Sequence, residues 1–350
     1  MERIQALLEE RELDALLITD PVNVRWLTGF PSSNALVVVT ASQLVLITDF
    51  RYVAGARRVV TRADVVEGKR DLVDDAVALL PAGRIGFEDA VMTVASHGRW
   101  VAAGGSDRSF VGLGDAVEGL RAVKTPAELA SIAAAVALGD EALSAVLERG
   151  LVGKRESEVA ALLEYELRAR GAQQHSFAPI VASGDRSDSP HSSPTDASIE
   201  RDTFVLIDFG VELDGFCSDG TRTYATGSVT DEMASVYELV LRAQLAGLEA
   251  VRGGVTGREA DAAARDVIGA AGHADHFGHG LGHGVGMKIH EEPRLTQRSE
   301  QVLVPGNVVS VEPGVYLEGK FGVRIEDLVA VTEEGHTNFS SLPKELTVVD

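Results

Sequence analysis

Three carboxylates stand at the ends of short apolar runs of this 350-residue chain. Asp208 closes the run Phe204-Val205-Leu206-Ile207, Glu312 follows Val308-Val309-Ser310-Val311, and Glu326 comes directly after Val323-Arg324-Ile325. Such runs read as buried strands, and an ionised carboxylate placed in one is costly without a compensating partner. A bound cation is the simplest compensation, and it obliges segments far apart in the chain to meet.

A fourth acid, Asp219, lies eleven residues beyond Asp208, with Gly215 and Gly220 permitting a tight return. One hairpin would then aim both carboxylates at a common point. Taken alone, the pair reads more simply as two turn aspartates. Next comes His279-Gly280-Leu281-Gly282-His283-Gly284-Val285-Gly286, followed by Lys288-Ile289-His290-Glu291-Glu292-Pro293. Histidines among so many glycines predict a backbone packed closely around a site. A flexible glycine loop or a phosphate cradle leaves the histidines unexplained, and the lysine and hydroxyl that end a phosphate loop are missing. Asp208-Phe209-Gly210 spells a kinase magnesium motif, but nothing upstream supplies the rest of a kinase.

The texture of the chain changes near Arg121. Before it, apolar segments at 15–19, 35–39, 44–48 and 84–87 read as strands between helices, the first helix covering about 1–11. After it, Thr125-Pro126-Ala127-Glu128 supplies a helix cap, and Ala/Leu/Ile periodicity predicts a long helix to about 149. Further helices are expected near 156–170, 231–252 and 257–271, and strands at 179–182, 204–208, 220–224 and within 308–331. Helices in pairs followed by sheet segments, twice over, make an α+β pattern. The expected domains are 1–121 and 122–350.

The formal charge is 32 minus 53, or −21, which argues against nucleic acid and anionic membrane surfaces as partners. Cys217 is the only cysteine, so the chain fits a reducing, cytoplasmic compartment. The N-terminus shows no signal pattern, and no apolar run is expected to approach the ~18 residues of a membrane span.

Over 180–328 these residues resemble the pita-bread metallopeptidases: methionine aminopeptidase, aminopeptidase P, prolidase and the metal-free creatinase. Ile180-Val181-Ala182-Ser183-Gly184, Pro190-His191, Leu206-Ile207-Asp208-Phe209-Gly210, Ser218-Asp219-Gly220-Thr221-Arg222-Thr223, the histidine segment, Val311-Glu312-Pro313-Gly314-Val315-Tyr316 and Gly322-Val323-Arg324-Ile325-Glu326-Asp327 carry the resemblance, in the expected order. It implies a creatinase-type α/β N-terminal domain before a pita-bread catalytic domain. It also implies two divalent metal ions: Asp208 on one, Asp219 and Glu326 between both, His283 and Glu312 on the second. His283 rather than His279 is the implied ligand, because it lies seven residues before His290.

Four carboxylates and one imidazole form a hard, oxygen-rich set that suits manganese or cobalt and leaves iron and zinc possible. The implied nucleophile is a water shared by the two ions, with Glu312 shuttling its proton and His290, His279 and His191 around the substrate. Arg324 resembles an arginine near the substrate's carboxyl side, although a salt bridge to Asp327 or another acid would equally explain it.

About 120 residues precede the catalytic part. Asn23-Val24-Arg25-Trp26-Leu27-Thr28-Gly29-Phe30 and Thr48-Asp49-Phe50-Arg51-Tyr52 look like the creatinase-type domain and point to prolidase or aminopeptidase P. Both cleave before proline, whose nitrogen has no hydrogen to donate. The close Leu342-Pro343-Lys344-Glu345-Leu346 leans towards a prolidase acting on Xaa-Pro dipeptides. An aminopeptidase on longer peptides with proline second, and a peptide-binding module that has lost activity, are the alternatives; a homodimer is the implied assembly. Gly220 departs from the aliphatic residue usual after the second aspartate. Cys217 shares strand parity with Asp219 and faces either the site or, as a small apolar residue, the core.

Overall fold

The computed structural model describes residues 2–350; Met1, where the first expected helix begins, lies outside the described residues. The chain divides into two compact units, one ending at Arg121 and the other beginning at Ala122.

In the first unit, helix α1 (Glu2–Glu10) buries Ile4, Leu7 and Leu8 at helical spacing. Strands β1 (Ala15–Ile18), β2 (Ala35–Thr40), β3 (Leu44–Thr48), β4 (Asp64–Glu67), β5 (Gly83–Phe87) and β6 (Arg108–Gly112) form one sheet in the order β4-β3-β2-β1-β5-β6. Only β2 runs against the rest. Helices α2 (Pro21–Thr28), α3 (Val53–Val59), α4 (Val73–Val77), α5 (Val94–Gly104) and α6 (Ala116–Ala122) complete the element order up to the boundary. The four expected strands are present. The edge strands β4 and β6 were not read from sequence, because half-exposed edges lack the apolar run that marks a central strand.

The second unit opens on α7 (Pro126–Leu147), capped by Thr125 and Glu128 in a reciprocal capping box. Its length and apolar composition would let it cross a membrane, which corrects the expectation that no run approaches that length. Here it is a core helix: Ile132, Ala135, Val136, Leu143 and Val146 are buried, and Asp140 is buried on the same helix. With α8 (Glu156–Ala169), α7 covers the odd residues Val205, Ile207 and Phe209 of a sheet strand. Helices α9 (Asp231–Ala250) and α10 (Gly257–Ala270) form a second pair, packed on Val309, Val311 and Val329.

The strands of this unit are β7 (Gln174–His175), β8 (Ile180–Ser183), β9 (Thr203–Phe209), β10 (Val211–Leu213), β11 (Phe216–Cys217), β12 (Gly220–Thr226), β13 (Gly282–Gly284), β14 (Glu291–Leu295), β15 (Val308–Val311), β16 (Gly314–Leu317), β17 (Phe321–Arg324), β18 (Asp327–Val331) and β19 (His336–Asn338). Sheets β12-β9-β8 and β14-β13-β15-β18-β19 carry most of the site, and β16-β17 and β11-β10-β7 are smaller. The return from Asp208 to Asp219 is not one tight hairpin. Strand β9 pairs directly with β12, but the chain between them makes a second hairpin, β10-β11, which joins β7. Cys217 packs with Ile132, Val136 and Val285, and is a core residue.

Candidate metal centre

Strand alternation sets the first ligand position. Val205, Ile207 and Phe209 face the α7-α8 core, so Asp208 points from the opposite side of β9, opposite Ile180 of β8 and Thr221 of β12. Asp219 arrives just before β12. Glu326 occupies the break between β17 and β18, and its N–H donates to the Thr221 carbonyl at 3.1 Å. As a result Asp208, Asp219 and Glu326 offer carboxylate oxygens that all lie within 4.8 Å of one another.

The second sheet supplies the other two. His283 sits between Gly282 and Gly284 on β13, where a Cβ at those two positions would come 2.0 Å from the Ser310 carbonyl and 2.3 Å from that of Glu292. Only glycine lets the backbones approach so closely. Ser310 Oγ receives the His283 N–H at 3.1 Å and donates to Glu312 Oε1 at 3.0 Å, tying the imidazole strand to the carboxylate. The His283 ring pairs Nδ1 with the Gly284 carbonyl at 3.1 Å. A carbonyl can only accept, so Nδ1 carries the proton and Nε2 presents a bare lone pair. That Nε2 lies 3.4 Å from both Asp219 Oδ2 and Glu312 Oε1.

This donor set fits a cation. Burial holds the His283 pKa down to about 4, so the ring is neutral and gives the adjacent acids no positive charge. Asp219 and Glu326 are pushed well above the usual carboxylate range, first by burial and then by each other's neighbours among Asp208, Glu312 and Glu326. Burial also raises Glu312. Two buried oxygens, Asp208 Oδ1 and Glu326 Oε1, have no hydrogen-bond partner among the described residues. Buried acceptors that outnumber their donors are a costly arrangement, and divalent cations remove that cost.

All nine residues singled out from the sequence line one cavity of about 450 Å³. His191 and His290 are exposed at it, and the His290 ring meets His283 edge-on at 4.4 Å between centroids. Burial first, and then the nearness of a second imidazole at His283 and of the Arg294 charge, lowers the His290 pKa to about 4. Arg324 does not pair with Asp327, which instead holds Arg222 and Lys344 at 2.8 Å each. Its guanidinium donates to Asp208 Oδ2 at 2.6 Å, the Tyr316 hydroxyl at 2.8 Å, the Thr221 hydroxyl at 3.0 Å and the Pro190 carbonyl at 3.2 Å.

Tyr316 was not picked out from the sequence. Its hydroxyl lies 3.0 Å from His279 Nε2, while His279 Nδ1 pairs with the Gly280 carbonyl at 2.8 Å. By the same reasoning Nδ1 is protonated and the Tyr316 hydroxyl donates to Nε2. A polarised chain therefore runs from Asp208 through Arg324 and Tyr316 to His279. The available signal was a tyrosine in an otherwise apolar strand directly after Glu312-Pro313-Gly314. Thr221 was also passed over; its hydroxyl holds Glu326 Oε2 at 2.7 Å.

Comparison with known proteins gives a consistent result. The model of metallopeptidase family M24 matches residues 130–333, and that of the creatinase/prolidase N-terminal domain matches residues 1–123. The Xaa-Pro dipeptidase of Pyrococcus furiosus is 35% identical over 349 residues, covering 99% of each chain. Among solved structures, the Xaa-Pro dipeptidase from Bacillus anthracis has a TM-score of 0.95 at 38% identity, over 99% of this chain and 98% of that one. The X-Pro aminopeptidase from Thermotoga maritima has a TM-score of 0.91 at 36% identity, over 97% and 99%.

Proposed function

Since the chain belongs to metallopeptidase family M24, we propose that it hydrolyses the peptide bond before proline in Xaa-Pro dipeptides. The carrying observation is one cavity that holds two orphaned buried carboxylate oxygens, on Asp208 and Glu326, together with a bare His283 Nε2 set against Asp219 and Glu312. Likeness to Xaa-Pro dipeptidases supports the substrate class. Likeness to an X-Pro aminopeptidase supports a second reading, removal of the first residue from longer peptides with proline second.

In this reading Asp208 would hold one divalent cation, Asp219 and Glu326 would serve both, and His283 and Glu312 would hold the second. When bound, the ions supply an acidified water and a Lewis acid for the scissile carbonyl. Glu312, held by Ser310 with its carboxylate in the cavity, moves the proton from nucleophile to leaving nitrogen. His191 and His290 hold the substrate at the mouth, and His279 forms part of the wall with both ring nitrogens engaged. Four of the five Arg324 N–H groups have partners, which leaves one for the substrate's carboxyl side. The hard donor set favours manganese. The single cysteine fits a cytoplasmic setting, and a homodimer is the assembly the resemblance implies.

The test is purified protein with manganese, offered an Xaa-Pro dipeptide and the corresponding tripeptide. Cleavage of the dipeptide alone supports the proposal. Cleavage of the tripeptide establishes the aminopeptidase reading, and cleavage of neither overturns both.

A further inference from the structure

Between α10 and β13 the chain crosses residues 277–281 without regular structure, and this stretch contains Gly278 and Gly280. It nevertheless carries His279 and leads directly into His283. Two residues one turn apart on α10 hold it. Arg265 donates to the Phe277 carbonyl at 2.8 Å and the His279 carbonyl at 2.6 Å, and its guanidinium lies over the Phe277 ring at 4.1 Å. Asp261 Oδ1 accepts the Leu281 N–H at 2.9 Å. The two side chains clasp each other through a forked pair, Nε to Oδ2 at 2.7 Å and Nη2 to Oδ1 at 2.9 Å.

The acid of this pair is 1% exposed and the arginine 17%. A buried ion pair is a poor stability device, because desolvation offsets most of its attraction. What it does supply is direction: a planar fork fixes two carbonyls while its carboxylate fixes the amide beyond them. We propose that Arg265 and Asp261, which the cavity does not contact, are positioning residues that fix the His279 ring against Tyr316. This rests on the reading of His279 as part of the substrate wall. The metal ligand His283 is secured separately, by pairing of β13 with β14 and β15 and by Ser310.

The test uses full-length manganese-loaded Arg265→Ala and Arg265→Lys, the second keeping charge and stem but not the fork, each alone and with His279→Ala. The expected result is unchanged metal content with kcat reduced at least about tenfold, the scale for groups that orient a site's contacting residues. Adding His279→Ala to either variant should cost no more than His279→Ala alone, because the effects share one route. In histidine-labelled metal-free protein, the His279 Nδ1–H resonance should vanish in the Arg265 variants and persist in the parent.

Wild-type kcat in Arg265→Lys, or losses that add to those of His279→Ala, would overturn the proposal. A parent protein that cleaves no Xaa-Pro substrate would sink the functional reading alone. The imidazole resonance would then still decide the clamp, overturning it by persisting in both Arg265 variants.

Discussion

Glu326 gives one carboxylate oxygen to the Thr221 hydroxyl and leaves the other buried without a partner. Asp208, with its own orphaned oxygen, lies close by. In metal-free protein this crowd of acceptors opposes folding. Glu326→Gln keeps the shape and adds an N–H2 where acceptors wait, so the metal-free variant should gain about 1–3 kcal/mol over the metal-free parent. For a unit of this size that raises Tm by about 2–4 °C per kcal/mol. The same variant should lose manganese binding and turnover; a lower metal-free Tm with metal retained would remove Glu326 from the ligand set. His290 makes the opposite case. It is exposed at the cavity with its ring edge on His283, and in the proposed reading it would hold the substrate rather than the ions. His290→Ala should keep full metal content and lower kcat by about 10²-fold, the scale of a misplaced substrate. Loss of metal instead would show that the wrong histidine was chosen as ligand.

Glu156 shows how one side chain at a helix start governs a segment far along the chain. Fully buried in the first turn of α8, it accepts from the N–H and hydroxyl of Ser183 at 2.8 and 2.9 Å, from those of Thr195 at 3.1 and 2.9 Å, and from Arg186 Nε at 3.0 Å. These contacts bracket the stretch that brings Pro190, His191 and Ser193 to the cavity. Burial pushes its pKa up, but the donors outweigh burial and hold it below the ordinary 4.5. A carboxyl lowered on folding contributes stability above its unfolded pKa and loses it as pH falls through the folded value. Metal-free Glu156→Gln should therefore be about 1.5–3 kcal/mol less stable than the parent at pH 7. That gap should close only below pH 4.5, as urea titrations at several pH values would show; a gap constant with pH would mean the charge is irrelevant. At the same scale, much was legible. Apolar periodicity and caps marked the long helices, and the glycines around His283 marked close backbone approach, because local chemistry alone dictates both. The short helices of the first unit and the β10-β11 hairpin were not legible, since tertiary packing stabilises elements too short to carry their own signal. Nor were Glu156, Asp261 and Arg265: each looks like an ordinary helix charge until the fold shows which distant backbone it holds.

At the scale of the whole chain, all nine residues singled out from the sequence come from the second unit, and the molecule carries a formal charge of −21. Their order along the sequence was readable because each ligand candidate sits in a short motif, and the resemblance implied that they converge; the distances and hydrogen bonds at which they do so were not readable, because those depend on two sheets meeting. If the ions complete that convergence, their binding energy becomes folding energy for this unit. Manganese at a hundredfold excess over its dissociation constant should then stabilise the native second unit by about 2.7 kcal/mol. Amide exchange should slow in peptides covering 208–219, 279–290 and 312–326, while peptides from β1 to β3 of the first unit keep their rates, since none of the proposed ligands lies there. Asp219→Ala should abolish the slowing, because in the proposed reading it removes a carboxylate shared between the two ions. Protection that persists in Asp219→Ala, or that spreads equally over both units, would mean the stabilising cations bind somewhere other than the cluster.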